Sequence, residues 1–208
     1  MRFTHVYTKK NYPRIISGHG WFRQIITQSR LYQIQKTVSV RKDDYILDIG
    51  CDEGALLQLL HPTVANVYGI DINPDAVSTA TLPGIRKGSA EAIPFPSCMF
   101  DICIASHVIE HLKSPQCLFE EASRVLKHNG KLVLIYPWEP FRGASIIIDV
   151  ILSLRIPRLS LIREIHRNIL SPHTLKPYVD GTFQHVKSRM FFRNHLVPEY
   201  ISVFVKSA

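Results

Sequence analysis

Tyr45-Ile46-Leu47-Asp48-Ile49-Gly50-Cys51-Asp52-Glu53-Gly54, followed directly by Ala55-Leu56-Leu57-Gln58-Leu59-Leu60, carries the fold of this chain. Tyr45 to Ile49 is short, apolar and β-rich, which predicts a buried strand. Gly50 and Gly54 bracket a tight loop, and the leucine-rich run after it predicts a helix. A strand, a glycine loop and a helix in that order open a doubly wound α/β domain. Such domains bind ligands beyond the carboxyl ends of their strands.

The spacing restricts which ligand. Gly50-x-x-x-Gly54 is not the G-x-G-x-x-G of a dinucleotide site, because Asp52 stands where another glycine is needed. A phosphate loop is excluded as well, since Leu56 and Leu57 occupy the places of Lys and Ser/Thr. Asp48, an acid at the tip of the strand, is poorly matched to a pyrophosphate and well matched to a ligand with a cationic part. Asp accepts left-handed backbone geometry better than most residues, so Asp52 is compatible with the tight loop.

Downstream, Asn66 to Ile70 predicts a second strand ending at Asp71, and Asn73-Pro74 predicts the N-cap and first residue of a helix. An acid at the tip of the second strand is acceptor-only with two oxygens, so Asp71 suits both hydroxyls of a ribose. Phe100 to Ser106 predicts the fourth strand, Pro115 to Leu126 a helix stopped at Asn129-Gly130, and Lys131 to Tyr136 a fifth strand. Ser171-Pro172-His173 is read as opening another helix, and Val186 to Phe192 and Glu199 to Val205 as the last two strands. Upstream, Trp21 to Val38 carries Trp21, Phe22, Ile25, Ile26, Tyr32 and Ile34 near helical spacing, an amphipathic helix following an irregular arm.

Asp48-Ile49-Gly50-Cys51-Asp52-Glu53-Gly54 resembles D-x-G-C-G-x-G, motif I of the class I S-adenosylmethionine-dependent methyltransferases, with Asp52 replacing the middle glycine. Gly88-Ser89-Ala90-Glu91-Ala92-Ile93-Pro94-Phe95 through Phe100-Asp101 is similar to the G-D-A-E-x-L-P-F…F-D stretch of that family, with Ser89 in place of its first acid. Leu118 to Lys127 and then Gly130 resemble the family's fourth helix and fifth strand. The likeness runs from about residue 45 to residue 136.

The resemblance implies a seven-stranded, mostly parallel sheet whose last strand is antiparallel. It implies S-adenosylmethionine as cofactor, S-adenosylhomocysteine as product, and methyl transfer as the reaction. The residues it assigns to the cofactor are Asp48, Gly50, Cys51, Gly54, Asp71, Ile72, Ser89, Ala90, Glu91 and Ser106, with Asp71 at the ribose and Ile72 against the adenine. A helix before the first strand often covers the pocket in such proteins, while packing on the sheet edge is the alternative.

His107, Glu110 and His111 follow the fourth strand, and His107 is a candidate general base because its ordinary pKa is near neutrality. His107-x-x-Glu110-His111 resembles incompletely the E-x-x-E-H metal arrangement of certain quinone-biosynthesis O-methyltransferases. The same letters fit the inverted zincin H-x-x-E-H, which belongs on a long helix, whereas this stretch begins at a strand end. No metal is expected.

The 208 residues suit one domain, and 46% hydrophobic with 20% charged residues are globular values. Within it, residues 1–42 read as a basic arm and helix, 43–136 as the cofactor core, 137–180 as a helical insert on the substrate side, and 181–208 as C-terminal strands. Cys51, Cys98, Cys103 and Cys117 form no C-x-x-C pair, which fits a reducing, cytoplasmic setting better than a disulfide framework. No leader peptide is evident, and the apolar run Ala144 to Leu154 is too short to span a membrane.

The net charge of +8 is concentrated at the ends, since no acid precedes Asp43. A basic surface of that kind suits an anionic partner such as a membrane face, a nucleic acid or an acidic substrate. Three readings follow: a methyltransferase for a small-molecule or lipid-like acceptor with peripheral membrane contact, a nucleic-acid methyltransferase, or a non-catalytic cofactor-binding protein. The first is the expectation, because Ser106-His107-Val108-Ile109 is not the Asn/Asp-Pro-Pro-aromatic run of base-amino methylases.

Overall fold

A computed structural model describes residues 20–139, 167–179, 181–193 and 197–207. In chain order these give α1 (Gly20–Thr37), β1 (Tyr45–Ile49), α2 (Ala55–Leu60), β2 (Asn66–Asp71), α3 (Pro74–Thr79) and β3 (Ile85–Lys87). There follow β4 (Phe100–Ser106), α4 (Pro115–Val125), β5 (Leu126–Pro137), β6 (Phe183–Arg193) and β7 (Val197–Lys206). Single 3-10 turns lie at Ile109–His111 and Lys176–Tyr178.

The seven strands form one sheet in the order β3-β2-β1-β4-β5-β7-β6. β1 pairs in parallel with both β2 and β4, and β7 runs antiparallel to β5 and β6. The strand order therefore reverses between β1 and β4, and the crevice beyond their carboxyl ends is where such a sheet accepts a ligand.

Period-two alternation sorts the strand residues onto two faces. On one, Ile46, Ile104, Ile135 and Ile201 pack with Ile34 of α1, Val38 just after it, and Leu57 and Leu60 of α2. On the other, Leu47, Cys103, Leu134 and Phe204 pack with Leu118, Phe119 and Val125 of α4. Burying each such side chain contributes about 1.5–3 kcal/mol. At the carboxyl end of the α1 face the pattern turns polar: Asp48, Ser106 and Glu199 occupy positions in line with Ile46, Ile104 and Ile201.

Several details differ from the sequence expectations. In α1, Ile25 and Tyr32 are exposed, at 43% and 58%, and the buried anchors are Ile34 and, just past the helix, Val38. The helix expected over Pro115 to Leu126 ends at Val125, and the strand expected from Lys131 begins at Leu126. The intervening residues bulge out of the β4–β5 ladder, with Asn129 left-handed at φ 61. Ser171-Pro172-His173 opens a turn and then the 3-10 turn at Lys176, not an α-helix. Prolines at 172 and 177 lack the amide hydrogens a longer helix would use. The arm and most of the insert, including Phe141 and Ile146 to Leu154, lie outside the described residues.

Candidate active site

The loop between β1 and α2 is built from left-handed residues: Gly50 at φ 76, Asp52 at φ 51 and Gly54 at φ 83. A Cβ on Gly50 would stand 2.4 Å from Val108 Cγ2, and one on Gly54 would stand 2.2 Å from Ile85 Cδ1. Both glycines are therefore required by space as well as by conformation. Asp52 adopts the geometry that a third glycine would provide, as the sequence allowed. The Gly50 and Cys51 amides donate to the Ile70 carbonyl at 2.8 and 3.0 Å, seating the loop on the neighbouring strand.

Asp71 ties this loop to the next one. Its Oδ2 accepts from the Asp52 amide and its Oδ1 from the Asn73 amide, both at 2.8 Å. Each oxygen keeps a second lone pair for a hydroxyl. Burial raises the Asp71 pKa against these two bonds. Asn73 caps α3 by accepting from the Asp75 amide at 3.1 Å. Ile72 is 38% exposed next to Asp71, so its side chain offers an apolar surface at the strand tip.

Asp48 is buried, at 3% exposure, and no hydrogen bond among the described residues reaches its carboxylate. Burial first, and the nearby Asp71 charge second, push its pKa up to about 8, while Arg30 acts in the opposite sense. A carboxylate so desolvated is stabilised by any cation that enters beside it. Close by, the Ser106 hydroxyl is buried with no hydrogen-bond partner among the described residues. A desolvated acid, that hydroxyl and the exposed Gly50 backbone converge on one crevice.

The remaining sequence candidates sit on the segment between β3 and β4. Ser89 accepts from the Glu91 amide at 3.1 Å and bridges to Ala92, forming a small turn that presents Ala90, with Glu91 exposed. That segment is gripped from α4. Arg124 donates to the carbonyls of Ile93 and Phe95 at 2.8 Å each, and Glu121 accepts from the Ile93 amide at 2.6 Å. The Glu121–Arg124 pair was not singled out in the sequence, although an acid and an arginine three apart on a helix are a pairing signal.

His107 ends β4 with φ 56, an uncommon conformation for a non-glycine residue. Its Nε2 lies 2.9 Å from Glu199 Oε1 and its Nδ1 3.1 Å from Glu110 Oε1. Both glutamates are fully buried, and Arg30 reaches the same Glu199 oxygen at 3.5 Å. His111 approaches Glu110 at 4.0 Å. Glu199 and Arg30 were invisible as site residues in the sequence, being 169 positions apart. No group of His, Cys, Asp and Glu able to hold a metal occurs among the described residues.

Comparison with known proteins agrees with this geometry. The sequence model of the family described as "Methyltransferase domain" matches residues 47–134. An uncharacterized methyltransferase of Bacillus subtilis strain 168, YcgJ, is 29% identical over 114 residues, covering 50% of this chain and 45% of that protein. A ubiquinone biosynthesis O-methyltransferase of Xylella fastidiosa strain M23 is 30% identical over 115 residues, covering 50% and 45%. The chain thus spans about half the length of the curated relatives it matches. The solved structure of Bacillus subtilis YcgJ superposes with a TM-score of 0.65 at 17% identity, over 86% of this chain and 98% of that one, a likeness of fold.

Proposed function

We propose that this chain, whose residues 47–134 match the methyltransferase domain family, transfers a methyl group from S-adenosylmethionine to a small-molecule or lipid-like acceptor. The observation that carries this reading is Asp48, a buried carboxylate at the switch point of the sheet that no hydrogen bond among the described residues reaches. When bound, S-adenosylmethionine supplies a methyl group already activated by its sulfonium. Asp48 and the Gly50–Gly54 loop would hold its cationic amino-acid end. Asp71 would hold the ribose hydroxyls, Ile72 and the Ser89–Glu91 turn the base, and Cys51 and Ser106 the floor of the crevice.

What the protein adds is alignment and exclusion of water. Holding two reactants in line supplies roughly 7–11 kcal/mol of barrier reduction. The choice of a small acceptor over RNA is supported by the ubiquinone-biosynthesis relative and by the absence of a base-amino methylase signature after β4. No helix of the described residues is long and apolar enough to cross a membrane.

The test is transfer of a labelled methyl group from S-adenosylmethionine to three panels: phenols and hydroquinones, anionic phospholipid vesicles, and total RNA. Label in the first or second panel is the expected result. Label confined to RNA replaces the acceptor class. Tight cofactor binding with label in none of them favours a non-catalytic binding protein.

A further inference from the structure

Three polar groups on the α1 face of the sheet converge on one imidazole, and their roles are not those of a reacting group. Both ring nitrogens of His107 lie within hydrogen-bond distance of carboxylate oxygens, Nδ1 of Glu110 and Nε2 of Glu199. The Nε2–Glu199 contact is a hydrogen bond and the Nδ1–Glu110 contact an ion-pair approach, and a ring protonated at both nitrogens suits two carboxylates that only accept. The proton belongs on imidazole, whose ordinary pKa near 6.5 exceeds that of glutamate near 4.3. A ring protonated at both nitrogens has no lone pair for a substrate proton, so the clamp and the general-base role considered for His107 are alternatives.

The cluster is placed where it can fix geometry. Glu110 comes from the turn after β4, Glu199 from the start of β7 and Arg30 from α1. Arg30 also faces Asp48 electrostatically, linking the cluster to the cofactor crevice. Next to His107, Val108 fills the space above Gly50. A second tie runs from Arg189 of β6 to Gln33 of α1. The left-handed conformation at His107 is uncommon and persists where the surroundings over-determine it.

We infer that His107 is a positioning residue: a cationic imidazole clamped between buried Glu110 and Glu199 which, with Arg30, holds α1 and the Val108 turn against the glycine loop. This rests on the methyltransferase reading only for its consequence in turnover. The clamp itself exists without cofactor. Consistent with it, the two carboxylates outweigh burial and Arg30, raising the His107 pKa. Among the described residues, the charged groups nearest it are Glu110 and Glu199, with Arg30 beyond Glu199 and His111 beyond Glu110. Stability from the clamp is thus present below the ordinary histidine pKa and lost as pH rises through the raised one.

The test uses the full chain without cofactor. Nitrogen-15 imidazole spectra of the wild type across pH 5.5–9 read the protonation of His107 directly, and hydrogen exchange of α1 amides is followed over the same range. The expected result is a doubly protonated ring at pH 7, with α1 protection falling as that ring deprotonates while β2 is unaffected. Glu199→Gln lowers the midpoint by about one pH unit or more. A neutral ring at pH 7, an α1 indifferent to the charge on His107, or an unmoved midpoint in folded Glu199→Gln overturns the assignment. Because the wild-type spectra need neither variant nor cofactor, failure of the clamp and failure of the methyltransferase reading are separable.

Discussion

At the scale of single residues, Asp48 sets a conflict between stability and binding. Its pKa, pushed up to about 8 from 3.8, means that the folded protein holds a proton which the unfolded chain has released. Between about pH 4 and pH 8 the group therefore lowers stability as pH rises, by up to about 1.4 kcal/mol per unit. Asp48→Asn should raise the stability of the cofactor-free protein at pH 8 by roughly 1–3 kcal/mol, measured by urea unfolding. The same change should weaken S-adenosylmethionine and abolish the rise in affinity expected between pH 6 and 8 in the wild type. Affinity that stays independent of pH in the wild type would remove Asp48 from the site. The acid was legible in the sequence from its place at a strand tip. Its burial was not, because that depends on α1 and Arg30 closing over it.

Among the elements, the segment from Ser89 to Phe95 depends on α4 for its shape. Arg124 and Glu121 make three hydrogen bonds to its backbone, and Phe95 sits edge-on to Tyr68 and Phe100 under the Arg86 guanidinium. Arg124→Ala removes two charge-assisted bonds on a partly exposed side chain, costing about 2 kcal/mol. It should speed hydrogen exchange of residues 91–95 and weaken cofactor binding several-fold without touching the cofactor. Exchange unchanged from wild type would show that the segment holds its own shape. Elements with strong local signals were legible: β1 and α2 form where the apolar runs and the glycine loop place them. β5 was read five residues short because its entry runs through a bulge with left-handed Asn129, set by pairing to Phe100. β3, three residues long, has too little sequence to carry a periodic signal.

For the whole molecule, a sheet built for ligands at its β1–β4 switch point carries a polar row, Asp48, Ser106 and Glu199, on the face covered by α1. The fold and the cofactor loops could be read from contiguous motifs because each motif builds its own turn. The Arg30–Glu199–His107 cluster could not, since it joins the first helix to the last strand and exists only once the sheet has closed. The same reading gave His107 as a candidate general base, whereas the clamp proposed above makes it a positioning residue. Basic residues dominate both ends of the chain, so any binding to an anionic surface should weaken with added salt. The central claim is that this crevice is built for S-adenosylmethionine, and calorimetric titration of the full chain with that compound and with S-adenosylhomocysteine tests it most directly. The account predicts micromolar, one-to-one binding of both, mutually competitive, and strongly weakened in Asp71→Ala that remains folded by circular dichroism. A folded wild type that binds neither compound would contradict it.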